Sequence, residues 1–223
     1  LKGVVDILMD NQKDIVVVGA GGQGREVMWQ LNELNKETGN YNILGFIDAD
    51  PALKEKVING FPVIGNEEWL LSRKNDTCVI ICIANPKTRK KIYQKLKINP
   101  SLSFPNFFAK NVTCSEFVTF GQGGVFCPAD ILTVNIKVGD FVIINSACTI
   151  GHDTVIEDFV TIYPGAVISG NVRIGAECEI GTGAKIIQGK TIGANTVIGA
   201  GAVVTKDLPP DCTAVGVPAK VKL

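Results

Sequence analysis

From Val138 onward, every sixth residue is a β-branched aliphatic: Val138, Ile144, Ile150, Ile156, Ile162, Ile168, Ile174, Ile180, Ile186, Ile192, Ile198 and Val204. A helix repeats every 3.6 residues and a strand every 2, so neither gives a strict six. A solenoid of short strands separated by corners does. Four places after each aliphatic stands mostly a small or β-branched residue, among them Val142, Cys148, Thr154, Val160, Ala166, Val172 and Cys178. Both positions are expected to point inward. Gly follows the aliphatic at 139, 151, 175, 181, 193 and 199 and is expected to ease the bend. Earlier turns start at Val112 and Val118, with one-residue insertions before Val125 and Val138. Three hexads make one triangular coil, so residues 18 apart stack.

The first half is punctuated differently. Asp14–Gly19, Ile43–Asp48 and Cys78–Ala84 read as buried strands. Arg25–Glu37 reads as a helix stopped by Gly39. Asn66 reads as the N-cap of a second helix, and Asn85-Pro86 opens a third that runs to about Lys97. Alternating strands and helices predict a parallel, Rossmann-like sheet. The stretch 101–109 is expected to be a last strand and linker. The predicted architecture is therefore α/β plus all-β: residues 1–108 as a nucleotide-binding domain, and 109–223 as a parallel β-helix with a capping tail.

Composition narrows the partners. Basic and acidic residues number 22 each, so net charge is zero, and no basic cluster marks a nucleic-acid surface. The basic run Lys87–Lys97 reads as the solvated face of its helix. The apolar runs are too short to span a bilayer, and no signal-peptide pattern opens the chain. Membrane insertion is therefore not expected. The seven cysteines form no Cys-x-x-Cys, which predicts reduced thiols in a cytoplasmic protein and no metal site.

The only histidine, His152, falls two residues after an inward aliphatic, at a corner outside the core. Asp153 is next to it and can orient the ring. Asn145 lies one corner back. Gly170, 18 residues on, stacks beside the imidazole and brings bare backbone there. A neutral imidazole suits proton removal near pH 7, and a plain solvated corner is the alternative. Cys148, at an inward position, lacks the access that a nucleophile needs. Upstream, Gly19-Ala20-Gly21-Gly22-Gln23-Gly24 fits G-x-G-x-x-G between a strand and a helix, where backbone N–H groups meet phosphate. NAD would need a longer domain. A nucleoside diphosphate fits the length, and a tight turn without ligand is the alternative.

The hexad pattern resembles the hexapeptide repeat of left-handed β-helix acyltransferases. The stretch 143–175 is similar to the catalytic segment of bacterial UDP-4-amino-sugar N-acetyltransferases and sialic acid O-acetyltransferases. The resemblance implies acetyl-CoA as co-substrate and His152 as general base, tuned by Asp153. It implies Asn145 at the acceptor and the Gly170 N–H at the acetyl carbonyl. Gly21, Gln23, Asp48, Ile83, Ala84 and Asn85 would line a site for a UDP-linked sugar. Thr161 stands where such enzymes carry a second histidine near the donor. Tail residues 199–223 resemble a capping loop along CoA, with Lys206 and Lys220 toward its phosphates; a plain end cap is the alternative. The resemblance also implies a homotrimer with active sites between subunits. N- or O-acetylation and a non-catalytic nucleotide-binding scaffold remain open at this point.

Overall fold

The computed structural model describes residues 12–222. The chain divides into two compact units, Leu1–Ile83 with Lys91–Pro105, and Ala84–Lys90 with Asn106–Leu223. The expected first domain begins with residues 1–11, which lie outside the described residues. No described helix is long and apolar enough to cross a membrane.

In the first unit, β1 (Lys13–Val18) lies beside β2 (Tyr41–Ile47) and β5 (Thr77–Ile81), all parallel. Two further strands extend the sheet beyond β2, β4 (Phe61–Gly65) beside it and β3 (Val57–Ile58) at the edge, and β6 (Leu102–Ser103) flanks β5, in the order β3-β4-β2-β1-β5-β6. Ile15–Val18 are at most 3% exposed, as a central strand covered on both faces requires. Helix α1 (Gly22–Thr38) ends where Gly39 turns left-handed at φ 64°. Asn66 caps α2 (Glu67–Leu71) through its side chain, and Asn85 accepts from the Thr88 N–H at the start of α3 (Pro86–Leu96). The antiparallel β3–β4 hairpin was not anticipated. Its Asn59-Gly60 turn, with φ of 50° and 88°, is nonetheless a legible hairpin signal.

The second unit is a left-handed parallel β-helix of two-residue strands. It starts at β7 (Phe107–Phe108), which pairs with Val125–Phe126; only Leu102–Ser103 of the stretch 101–109 joins the first sheet. The rungs stack in an 18-residue register, for example Thr149 with Val167 and Val167 with Lys185. The inward column from Ile144 to Val204 is at most 1% exposed. Truncating any one of these isoleucines to alanine would cost about 2–5 kcal/mol.

The corners correct one expectation. The glycine after each aliphatic does not bend the chain. A Cβ on Gly151 would lie 2.5 Å from the Gly170 nitrogen, and one on Gly175 2.6 Å from the Ala194 nitrogen. Glycine there lets the next coil approach. The bend falls two residues later, on left-handed residues such as Asn135, Ala147, Asp153, Phe159 and Asn171, with φ of 55–62°.

Candidate active site

His152 occupies a corner edge of the coil. Its ring Nδ1 lies 2.8 Å from Asp153 Oδ2, and both side chains are about half exposed. Asp153 is the left-handed corner residue, at φ 59°. Its carboxylate also accepts from Asn135 Nδ2, the residue at the same corner one coil below. The His152 and Asn135 bonds, in that order, hold the Asp153 carboxyl below the usual carboxylate range, so it stays charged at neutral pH. Nδ1 is thus engaged and Nε2 is the nitrogen left for chemistry.

Nε2 faces bare backbone. A Cβ built on Gly170 would stand 2.4 Å from His152 Nε2 and 2.5 Å from Cε1. Only glycine leaves space for the ring as placed. Gly170 itself is buried, and its carbonyl accepts from the Gly189 N–H. The register of the two-residue strands Thr149–Ile150, Val167–Ile168, Lys185–Ile186 and Val203–Val204 carries this edge upward through Gln188 to Lys206. Lys206 is exposed three coils above His152, about 14 Å at about 4.8 Å per coil. Lys220 is also exposed, on the two-residue strand Lys220–Val221 of the tail.

Two residues expected at the substrate surface sit deeper. Thr161 is fully buried: its hydroxyl donates to the Ala84 carbonyl at 2.6 Å and accepts from Arg89 Nη1 at 2.9 Å. It offers no surface to acetyl-CoA, which corrects that expectation. Asn145 is 7% exposed, and its Nδ2 donates to the Ile162 carbonyl at 2.8 Å. Ala84 and Asn85 lie at the start of α3, Ala84 bonded as above and Asn85 as its cap.

The glycine loop is a separate constellation. Gly19 at φ 100° and Gly24, whose Cβ would lie 1.7 Å from the Gly19 carbonyl oxygen, are glycine because the fold demands it. Gly21, at φ −70°, and Gly22 have open space where a side chain would go. Packing therefore does not explain glycine at 21 and 22. Gln23 follows in the first turn, and Ile83 packs its Cδ1 against Gly19. Asp48 ties the loop down, accepting from the Ala20 N–H at 2.8 Å and the Asp50 N–H at 2.9 Å. Beyond it opens a cavity of about 310 Å³ lined by Asp50, Lys54, Asn66 and Trp69 among others. This is the end of a parallel sheet where such folds take ligands. The cavity was not legible in the sequence, because it is assembled from the segments that follow two different strands, β2 and β4.

Two buried ionisable groups were missed as well. Arg89, inside the run read as a solvated face, is 0% exposed. Asp130 occupies an inward small-residue position. Burial pushes its carboxyl up to about 8 even though it accepts from the Cys127 and Cys148 N–H groups. Burial, with Asp130 nearby, pushes the Cys148 thiol up to about 12, so it stays protonated and is no nucleophile. Among the described residues, no group of His, Cys, Asp or Glu is placed to hold a metal ion.

The comparisons with known proteins agree with this anatomy. Residues 14–96 match the PglD N-terminal domain, and residues 153–188 match the bacterial transferase hexapeptide, six repeats. GDP-perosamine N-acetyltransferase of Escherichia coli O157:H7 is 33% identical over 163 residues, 71% of this chain and 71% of its own length. The acetyltransferase domain of PglB from Neisseria gonorrhoeae, solved in complex with acetyl coenzyme A, is 34% identical with a TM-score of 0.85, covering 95% of this chain and 100% of that one. A histidine-to-asparagine mutant of perosamine N-acetyltransferase from Caulobacter crescentus, solved in complex with CoA and GDP-perosamine, is 29% identical with a TM-score of 0.85, covering 94% and 97%. The chain therefore belongs to the family of bacterial sugar N-acetyltransferases in which a PglD N-terminal domain precedes a hexapeptide-repeat coil.

Proposed function

We propose that this chain transfers the acetyl group of acetyl-CoA to the amine of a nucleotide-linked amino sugar. The observation that carries the reading is the imidazole held at Nδ1 by a charged Asp153, with Nε2 set over the uncovered Gly170 backbone. That arrangement suits direct attack. The amine adds to the thioester carbonyl as His152 Nε2 takes its proton. The Gly170 N–H faces the oxygen on which charge develops, and the tetrahedral intermediate collapses by expelling the CoA thiolate, which takes up a proton. No covalent enzyme intermediate is needed, in keeping with the protonated Cys148.

Acetyl-CoA as donor is supported by the relatives solved with CoA or acetyl coenzyme A. Lys206, on the same edge as His152, is a cation for the far phosphates, and Lys220 is a second. For the acceptor, the glycine loop with Gly21 and Gln23 would take the diphosphate. The cavity beyond Asp48 would take the nucleoside. The relatives described by their nucleotide act on or bind GDP-perosamine, so a GDP-linked amino sugar leads and a UDP-linked one is second. A homotrimer is the assembly we favour: Ile131 and Val167, outward on one face, are 43% and 39% exposed. With these metabolites as substrates, the cytoplasm is its place of action.

The test is thiol release from acetyl-CoA with a panel of GDP- and UDP-linked amino sugars, each with wild type and His152→Ala. Wild type is expected to release CoA with at least one of them, and the variant to turn over about 10²–10⁴-fold more slowly. A fully active His152→Ala protein would remove the base assignment. Silence of wild type across the panel would remove the acceptor class.

A further inference from the structure

Arg89 is the largest fully buried side chain in the described structure. Its Nε donates to the Phe141 carbonyl at 2.9 Å. Nη1 donates to the Ala84 carbonyl and to Thr161 Oγ1, both at 2.9 Å, and Nη2 to the Phe159 and Val160 carbonyls at 2.7 and 3.2 Å. A guanidinium is suited to this, since its planar fork presents five donors in fixed directions. The Thr161 hydroxyl closes a ring by donating to the same Ala84 carbonyl. One residue on, the Ile162 carbonyl accepts from Asn145. Two residues that the family resemblance assigns to the acceptor, Ala84 and Asn145, are thus fastened to one two-residue strand, Thr161–Ile162, and a third, Asn85, follows Ala84 in the chain.

We infer that Arg89 and Thr161 are positioning residues for the acceptor: they lock Ala84 and Asn85 onto the coil in register with Asn145. The inference rests on the amino-sugar reading above and goes beyond it. It gives residue 161 a different job from the second histidine, near the donor, that the resemblance implies at this position. The hydroxyl acts through Ala84 rather than on a substrate, and a fully buried threonine leaves no space for an imidazole. Installing one, Thr161→His, should therefore lose acceptor affinity instead of gaining rate.

Arg89→Lys tests it. An ammonium has one nitrogen and cannot reach five acceptors spread over the fork. The expected result is a rise of about tenfold in KM for the nucleotide sugar. The KM for acetyl-CoA and the kcat at saturating acceptor should stay within about threefold of wild type. Hydrogen exchange should quicken at the amides of residues 84–90 and not in the coil. If Arg89→Lys fails to fold, Thr161→Val reads the same quantities at about threefold, and Thr161→Ser should restore wild-type values. Unchanged exchange at 84–90, an unchanged acceptor KM, or an equal rise in both KM values would overturn the inference. If wild type acetylates no sugar in the panel, the amino-sugar reading fails separately, and exchange at 84–90 alone then decides whether the clamp exists.

Discussion

Gly170→Ala is the sharpest perturbation of the site. The added methyl would stand 2.4 Å from His152 Nε2, 2.5 Å from Cε1 and 2.8 Å from Cδ2. Ordinary carbon contacts begin near about 3.5 Å, so the ring must move by about 1 Å or swing away. Gly170 is not among the residues with positive φ, so alanine meets no backbone strain, and the inward column is untouched. The displacement therefore falls on the imidazole and on its 2.8 Å bond to Asp153. A misplacement of about 1 Å in a catalytic group costs about 10²-fold in rate. We expect kcat to drop about 100-fold while the melting temperature moves by no more than a few degrees. Thiol release from acetyl-CoA gives the rate, and a thermal melt gives the fold. Acetyl-CoA titration separates a moved base from a blocked donor: intact affinity with lost turnover points to the ring. A variant within twofold of wild-type kcat would refute both the placement of the ring and its use as the base.

Asp153→Asn should leave the melting temperature unchanged, because asparagine already serves the same left-handed corner at Asn135 and Asn171, while kcat falls about 10- to 100-fold for want of the charge behind Nδ1. Gly21→Ala should fold normally, since φ is −70° and the space is open. Its nucleotide-sugar affinity, measured by titration calorimetry, should fall about tenfold if the loop meets phosphate. Asp130 predicts the pH dependence of stability. Its folded value of about 8 lies above the ordinary carboxylate value of 3.8, so the folded chain holds the extra proton between those values. The Asp130 contribution to stability should be greatest at the acid end, decline with rising pH by about 1.4 kcal/mol per unit at most, and flatten above about pH 8. Denaturant melts from pH 5 to 9 would show the slope in wild type and its loss in Asp130→Asn, even if that variant is less stable throughout.

The hexad was readable because it is local and repeated. Twelve in-phase aliphatics specify inward columns, corner edges and an 18-residue stack with no knowledge of distant contacts. That register placed His152 at a corner beside Gly170 and put Lys206 on the same edge. The glycine loop was readable for the same reason, as a strand, a turn and a helix in one short stretch. Tertiary structure decided what depends on groups far apart in sequence. Arg89 looks like one more surface cation until Thr161, 72 residues away, is packed on it. Gly151 looks like a hinge until the next coil's backbone is seen 2.5 Å from its absent methyl. Asp48 looks like a ligand residue alone until both its oxygens are found holding the loop as well. A sequence pattern records which face a residue takes along its own rung. Which groups meet across rungs and loops follows from chain closure and close packing, and appears only once the whole chain is folded.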